Sequence, residues 1–191
     1  MYFFQKQKVN YLYNRVKCEY SFQPLHRSHF QLLLSWLQTL HVKKWYDADI
    51  NHSIETVKEK YTSYTNGYKE INGIKKPIAA YLCMIDDAPI GYIQLYNPRD
   101  FESEIKFTDL PLSLGALDLF IGAPEYVGKG IGSKIIKIFL KKYAQKYEYI
   151  FVNPDVKNSA AIKCYEKVGF KIISQKQNPN ELWMLFDNRA V

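Results

Sequence analysis

Three glycines alternate at positions 128, 130 and 132 in the stretch APEYVGKGIGSK (residues 123–134). Successive backbone N–H groups in such a turn, with the N-terminus of a following helix, can hold a pyrophosphate, and a Cβ would block the close approach. A Walker loop is excluded because Gly130 follows Lys129, where that loop has Ser or Thr. A dinucleotide fingerprint fits poorly because Ser133 replaces its last glycine. The pattern therefore favours a strand, glycine turn and helix that cradle a polyphosphate.

Asp118 interrupts the apolar run 117–121, ten residues before the first of these glycines. A carboxylate in a buried strand is costly unless it is paired or takes part in chemistry. Two interpretations follow. Asp118 is either a functional carboxylate near the phosphate-binding turn or a structural aspartate that holds a neighbouring loop.

The positive charge of the chain is concentrated in one segment. The formal net charge is +7, and residues 129–176 hold 11 lysines against three acidic residues. A basic segment that begins at a phosphate-shaped turn favours a small polyphosphate ligand over nucleic acid, which usually meets basic residues interleaved with aromatics across a face. For most of these lysines we expect a solvated helix surface.

Metal and nucleophile chemistry find little support in the sequence. The three cysteines, Cys18, Cys83 and Cys164, lie far apart without a CxxC or CxxH neighbour, and the four histidines lack partners in a ligand motif. Cys164 has no nearby base that would make it an acyl carrier. We expect reduced, mostly buried thiols and no metal site.

Membrane insertion and secretion also find no support. No stretch approaches the roughly 18 apolar residues of a membrane helix, and the first residues lack the apolar core of a signal peptide. These features predict a soluble cytoplasmic protein.

Hydrophobic periodicity predicts the elements that position these residues. Apolar or alternating stretches predict strands over residues 16–22, 77–86, 89–96, 114–122, 149–153, from 171 onward and 181–186. Four helices are predicted to begin at Pro24, at Ser53 (through about residue 64), after the glycine turn and at Asn158, with apolar faces formed by Phe30, Leu33, Leu34 and Leu37 in the first and Ile131, Ile135, Ile138 and Phe139 in the third. We expect an α/β protein with a mixed sheet and helices on both sides. We expect one domain over residues 1–191, with residues 1–15 as an irregular or strand extension.

Two motifs together resemble the GNAT superfamily of N-acetyltransferases. VGKGIG before a helix is similar to the acetyl-CoA-binding motif, and NSAAIKCYEKVGF follows about 25 residues later, matching the C-terminal motif at Asn158, Ala161, Tyr165, Gly169 and Phe170. The family often carries Gln or Arg where this chain has Val127. From about residue 25 to 186 the chain is most similar to aminoglycoside 6′-N-acetyltransferases, through WLQTLHVKKWY, APIGYIQLY and Asp118. Those enzymes carry an aspartate that faces the aminoglycoside where this chain has Asn153.

The resemblance implies a mostly antiparallel sheet and assigns roles to residues. The expected cofactor is acetyl-CoA, bound by Leu119, Phe120, Ile121, Val127, Gly128, Lys129, Gly130, Ile131, Gly132, Ser133, Lys134, Asn158, Ala161 and Tyr165. An amine must lose its proton before it attacks a thioester, and Asp118 is the expected base. Tyr165 is the expected donor to the departing thiolate, with a packed aromatic as the alternative. The acceptor is expected to contact Trp45, Tyr46, Asp47, Gln94, Tyr96, Glu102, Asp118 and Asn153, an aromatic and acidic set that suits a cationic small molecule.

The sequence thus predicts an N-acetyltransferase that works by direct transfer to an aminoglycoside-like amine. A siderophore-precursor acyltransferase acting on hydroxylysine is the alternative acceptor class. A catalytically silent acyl-CoA-binding module is the alternative from another class, and nucleic-acid binding is a distant third. We expect a monomer or homodimer with no nucleic-acid or membrane partner.

Overall fold

The computed structural model describes residues 18–47, 49–101, 107–177 and 179–189. The strands are β1 (Tyr20–Pro24), β2 (Tyr68–Ile71), β3 (Ile74–Ile85), β4 (Ala88–Tyr96), β5 (Leu114–Ile121), β6 (Tyr149–Val152), β7 (Lys171–Gln177) and β8 (Asn180–Asp187). The helices are α1 (Phe30–Leu37), α2 (Leu40–Lys43), α3 (Ile54–Tyr61), α4 (Ile131–Tyr143) and α5 (Ser159–Val168). Within these ranges, no helix combines the length and apolar content needed to cross a bilayer.

The strands form one mixed sheet. Its order is β1-β3-β4-β5-β6-β8-β7, and β2 also pairs with β3. Every pairing is antiparallel except β5 with β6, which is parallel. That parallel register runs only from Leu114 opposite Tyr149 to Ala116 opposite Phe151, although β5 continues to Ile121. The expected mixed, mostly antiparallel sheet is confirmed, and β5 and β6 separate beyond Ala116.

Helices cover both faces of the sheet because strand side chains alternate between faces. One core packs α4 and α5 on the odd-numbered residues of β5, with Leu117, Ile135 and Phe139 nearly inaccessible to solvent. The other packs α1 and α3 on the even-numbered residues, around Leu33 and Tyr92. Both faces of the central strands are therefore buried, which explains their long apolar runs.

Local capping signals set several element ends as expected. The Ser53 hydroxyl accepts from the backbone N–H of Thr56 at the start of α3, and Asn158 accepts from that of Ala161 at the start of α5. Gly169, with φ of 122°, ends α5 in a conformation that favours glycine. These ends fix where the side chains of α5 face the sheet.

The structure corrects four of the sequence predictions. Helix α1 begins at Phe30 because Pro24 still belongs to β1 and residues 27–29 form a 3-10 turn. Helix α3 ends at Tyr61, before a second 3-10 turn. The predicted apolar position Ile138 is 36% exposed, since it lies beside the buried stripe of α4. Strand β2 was not predicted. The predictions for residues 1–15 and for the first two residues of the strand at 16–22 fall outside the described residues.

Candidate active site

A cleft of about 740 Å³ opens where β5 and β6 separate. Its walls are the C-terminal half of β5, the glycine turn, α5, the segment after β6, and the residues around α2. Because the pairing of β6 with β5 ends at Phe151, the last five residues of β5 have no strand neighbour on that side. The parallel pair that ends early is therefore what creates the cleft.

The free edge of β5 offers backbone hydrogen-bonding groups to the cleft. The N–H of Gly122 donates to the carbonyl of Ile90 in β4, so even-numbered residues of β5 direct their backbone groups toward β4. The N–H and C=O groups of Leu117, Leu119 and Ile121 then point the other way, where β6 is absent. His41 contacts the last of these groups, with Nε2 3.0 Å from the Ile121 carbonyl oxygen. An extended ligand with amide groups can form hydrogen bonds with the remaining backbone groups of this edge, as an added strand would.

The glycine turn presents uncapped backbone donors. Gly128 and Gly130 have φ of 76° and 72°, the left-handed region that favours glycine. Helix α4 begins directly after them at Ile131, and no side chain caps its first turn. The hydroxyl of Ser133 donates to the Gly130 carbonyl at 3.0 Å and leaves the first-turn N–H groups free. A 13-residue helix with free N–H groups at its start is suited to an anion.

Lysines of α5 add positive charge beside this turn. The Lys167 ammonium lies 3.6 Å from where a Cβ on Gly130 would stand, and Lys163 and Lys167 both line the cleft. An ammonium at this position can pair with a phosphate held by the turn. Both lysines are exposed, as predicted for most lysines of this segment, and they also line the cleft.

Asp118 lies at the end of a chain of buried hydrogen bonds. The Tyr92 hydroxyl donates to Gln94 Oε1 at 2.7 Å, and Gln94 Nε2 donates to Asp118 Oδ2 at 2.6 Å. Burial raises the pKa of Asp118, while hydrogen bonds from Gln94 and Tyr96 oppose that rise. The side chain is partly exposed and lines the cleft. A carboxylate with a raised pKa and an open side is chemically suited to accept a proton from a bound ligand.

Tyr165 faces the same cleft from α5. It is 8% exposed, and its ring packs on Phe170 with centroids 5.4 Å apart. Burial is the main cause that raises the pKa of Tyr165, followed by the negative charge of Asp118 and by Cys164. The phenol therefore keeps its proton at neutral pH and can donate it. Burial also raises the pKa of the Cys164 thiol to about 11, which disfavours the thiolate.

The far end of the cleft is aromatic. Trp45 and Tyr46 follow α2 and line the cleft, and the Tyr46 ring lies 4.9 Å from that of Phe120. Trp45 thus lies beyond the second short helix, α2. Asp47 pairs with Lys60, whose ammonium lies 5.2 Å from the centre of the Tyr46 ring. This end therefore combines flat aromatic walls with an ion pair set back from the lining.

Most of the predicted site residues meet in this one cleft. It is lined by Trp45, Tyr46, Asp118, Leu119, Phe120, Ile121, Val127, Gly128, Gly130, Ile131, Gly132, Ser133, Asn153, Asn158, Ala161 and Tyr165. Five predicted residues lie outside this lining: Lys129 and Lys134 are exposed, Gln94 is buried behind Asp118, and Asp47 and Tyr96 are set back from the lining. The prediction for Glu102 lies outside the described residues.

Several residues that line the cleft were not predicted from the sequence. They are His41, Val42, Leu117, Tyr126, Pro154, Asp155, Ala160, Lys163, Cys164 and Lys167. Helical spacing carried a usable signal for part of this set. Ala160, Lys163 and Lys167 follow one another at three and four residues, as members of one helix face do. His41 had no such signal, since its partner Ile121 is 80 residues away.

One known protein family matches most of the chain. A family model described as an acetyltransferase (GNAT) domain matches residues 26–177. The chain belongs to the GNAT acetyltransferases. Enzymes of this family use acetyl-CoA, and acetyl-CoA is the acetyl donor of this GNAT enzyme. The predicted family, enzyme class and cofactor are confirmed.

Relatives and solved structures agree with the assignment. The aminoglycoside N(6')-acetyltransferases type 1 of Klebsiella pneumoniae and Serratia marcescens are each 24% identical over 143 residues, covering 73% of this chain and 68% of the relative. AAC(6')-Ib in complex with ribostamycin and coenzyme A has a TM-score of 0.77 at 21% identity, covering 90% of this chain and 95% of that one. An aminoglycoside N(6')-acetyltransferase from Legionella pneumophila has a TM-score of 0.64 at 22% identity, covering 90% of this chain and 93% of that one. These likenesses show the GNAT fold.

The cleft of this GNAT enzyme fits coenzyme A. The free N–H groups after Gly128 and Gly130 suit its diphosphate, and a Cβ at either glycine would require a strained backbone. The free edge of β5 suits the amides of the pantetheine arm. When bound, the thioester would supply an activated acetyl group, and the residues around it would hold and orient that group.

Proposed function

We propose that this GNAT enzyme transfers the acetyl group directly to a primary amine of a small cationic acceptor, with an aminoglycoside-type amino sugar as the leading candidate. Both substrates would be bound together in the cleft. Direct transfer agrees with the raised pKa of Cys164, because a thiol that resists ionisation is a poor acyl carrier.

The observation that carries the proposal is the Asp118 carboxylate, partly open to the cleft and raised in pKa by burial. An alkyl amine with a pKa of about 10.4 is almost entirely protonated at neutral pH and cannot attack. Asp118 would take up the proton that the amine loses. Its raised pKa makes it a stronger base than an ordinary surface carboxylate, and the Tyr92–Gln94 chain holds it in place.

Tyr165 would act at the other end of the transfer. Its phenol remains protonated because burial raises its pKa, and it faces the cleft that Asp118 also lines. It would donate a hydrogen bond to the sulfur as the bond from sulfur to the acetyl carbon breaks. Asn158 caps α5, the helix that carries Tyr165.

The aromatic end of the cleft supports a cationic, hydroxylated acceptor. Trp45 and Tyr46 give flat aromatic walls on which a sugar ring or an ammonium group packs well. The curated relatives are aminoglycoside N(6')-acetyltransferases. These two lines of support place amino sugars first among the acceptors to be tested.

A second candidate acceptor is an amino acid of the hydroxylysine type. The observation that favours it is Lys60, which pairs with Asp47 beside the Tyr46 and Tyr61 rings. The carboxylate of an amino acid would compete with Asp47 for this ammonium. Its side-chain amine would then extend toward Asp118.

The test is the release of free thiol from acetyl-CoA with a panel of amines. The panel contains kanamycin, hydroxylysine, a lysine-ended peptide and buffer alone, and acetylated products are identified by mass spectrometry. We expect the highest kcat/KM with kanamycin. Preference for hydroxylysine would support the second candidate. Absence of thiol release with every amine, with coenzyme A still bound, would contradict the proposal and favour a silent binding module.

A further inference from the structure

Glu181 of β8 is a buried carboxylate with no ion-pair partner. It is 6% exposed, and no lysine or arginine in the described ranges forms an ion pair with it. Its cross-strand neighbour Lys176 instead places its ammonium 4.1 Å from the centre of the Trp183 ring. A buried charge without an opposite charge is costly, so this carboxylate requires an explanation.

The hydrogen-bond partner of Glu181 lies in the cleft lining. The side-chain Nδ2 of Asn153 donates to Glu181 Oε2, and Asn153 is exposed in the cleft lining. Backbone bonds fasten the two segments on either side, from Leu182 N–H to the Pro154 carbonyl at 2.9 Å and from Val156 N–H to the Asn180 carbonyl at 3.2 Å. The pair is thus fixed by the backbone before any ligand binds.

This bond determines which end of the Asn153 amide is free. A carboxylate only accepts hydrogen bonds, so the amide nitrogen must face Glu181. The Asn153 oxygen then remains as an acceptor, and no described group donates to it. A group that binds there must be a donor, and the charge of Glu181 directly behind it favours a cation.

Asp118 of β5 and Asn153, which directly follows β6, line the same cleft. Paired strands lie about 4.8 Å apart, and β5 and β6 diverge beyond Ala116, so the two positions are farther apart than that. One acceptor can reach both only if its second cationic group is several bonds from the reacting amine.

We propose that Glu181 is a positioning residue that orients the Asn153 amide and selects acceptors with a second ammonium group. The inference rests on the proposed function and narrows its substrate class to diamines and polyamines. The acceptor ammonium donates to the Asn153 oxygen, while Glu181 supplies the negative charge behind it. No bond is made or broken at this site.

The test compares kanamycin, which has several amines, with 6-amino-6-deoxyglucose, which has one. The quantity measured is the ratio of their kcat/KM values. Glu181→Gln removes the charge and preserves the size of the side chain, and we expect the ratio to fall about tenfold. Asn153→Asp combined with Glu181→Gln moves the charge to the cleft surface and should restore the ratio. Glu166→Gln, the same change at an exposed position of α5, is the matched control.

A purely structural role for Glu181 would lower both kcat/KM values together and leave their ratio unchanged. That result overturns the inference, as does a ratio that stays low in the double variant. Thermal unfolding with and without coenzyme A checks folding. If Glu181→Gln does not fold, the double variant alone decides: a ratio equal to that of the parent supports the inference, and a tenfold lower ratio overturns it. A parent that acetylates neither sugar overturns the proposed function as well.

Discussion

Replacing Asp118 by Asn tests the proposed base with little change in shape. Asparagine has nearly the same volume, and its amide oxygen can still accept from Gln94 Nε2, the bond that now holds Asp118 at 2.6 Å. The Tyr92–Gln94 bond should persist. What the Asp118→Asn variant loses is the ability to take up a proton.

The size of the defect follows from the acceptor amine and should depend on pH. With a pKa of about 10.4, roughly one alkyl amine in 2,500 is unprotonated at pH 7, and roughly one in 25 at pH 9. Without a base the variant relies on that fraction, so kcat/KM should fall roughly 10³-fold at pH 7 and only about 25-fold at pH 9. In the parent, kcat/KM should rise with pH as Asp118 loses its proton, above the usual carboxyl range because burial raises its pKa.

The Asp118→Asn change, which lowers activity, should not lower the stability of the fold at neutral pH. Because its pKa is raised in the folded state, Asp118 contributes most to stability at acid pH, below the pKa of the unfolded carboxyl. That contribution is lost as the pH rises through the folded pKa. The uncharged variant should therefore unfold at an equal or higher temperature than the parent at pH 7.

The assay is the initial rate of thiol release at saturating acetyl-CoA and varied amine, at pH 7 and pH 9, with thermal unfolding measured alongside. A defect below tenfold at pH 7, or one of equal size at both pH values, would show that Asp118 is not the base. Asp118 would then be a structural residue.

Three other changes probe the rest of the cleft. Tyr165→Phe keeps the ring against Phe170 but removes the donor, so kcat should fall roughly 10²-fold with the KM for acetyl-CoA nearly unchanged. Gly130→Ala forces a side chain into the left-handed region at φ of 72°, costing about 1 kcal/mol of stability, and calorimetry should show about tenfold weaker coenzyme A binding. Lys167→Ala should weaken that binding several-fold at low salt and less at high salt.

Each of these changes has a matched comparison. Tyr143→Phe removes a hydroxyl from α4, away from the cleft lining, and should leave kcat as in the parent. Lys137→Ala removes an exposed lysine of α4 and should leave coenzyme A affinity as it is. Unchanged affinity in Gly130→Ala, or equal effects of Lys137→Ala and Lys167→Ala, would contradict a diphosphate held at the turn.

The sequence could predict those parts of the site that depend on local signals. The glycine turn, the start of α4 and the Asn158 cap are specified by residues within a few positions of each other, and the structure has them where the pattern predicts. Asp118 stood out because one charged residue interrupts an apolar strand.

The remainder depends on contacts between distant segments. The cleft exists because the β5–β6 pairing stops at Ala116, and no local pattern specifies where a parallel pair ends. Lys167 approaches Gly130 only after α5 packs beside α4. Asn153 and Glu181 are 28 residues apart, so their hydrogen bond has no signature in either segment.

The most direct test of the account is a crystal structure of the chain with coenzyme A. The account predicts the diphosphate on the backbone N–H groups of residues 128–132, the pantetheine arm along the free edge of β5, and the sulfur between Asp118 and Tyr165. Coenzyme A bound elsewhere, with the glycine turn empty, would contradict it.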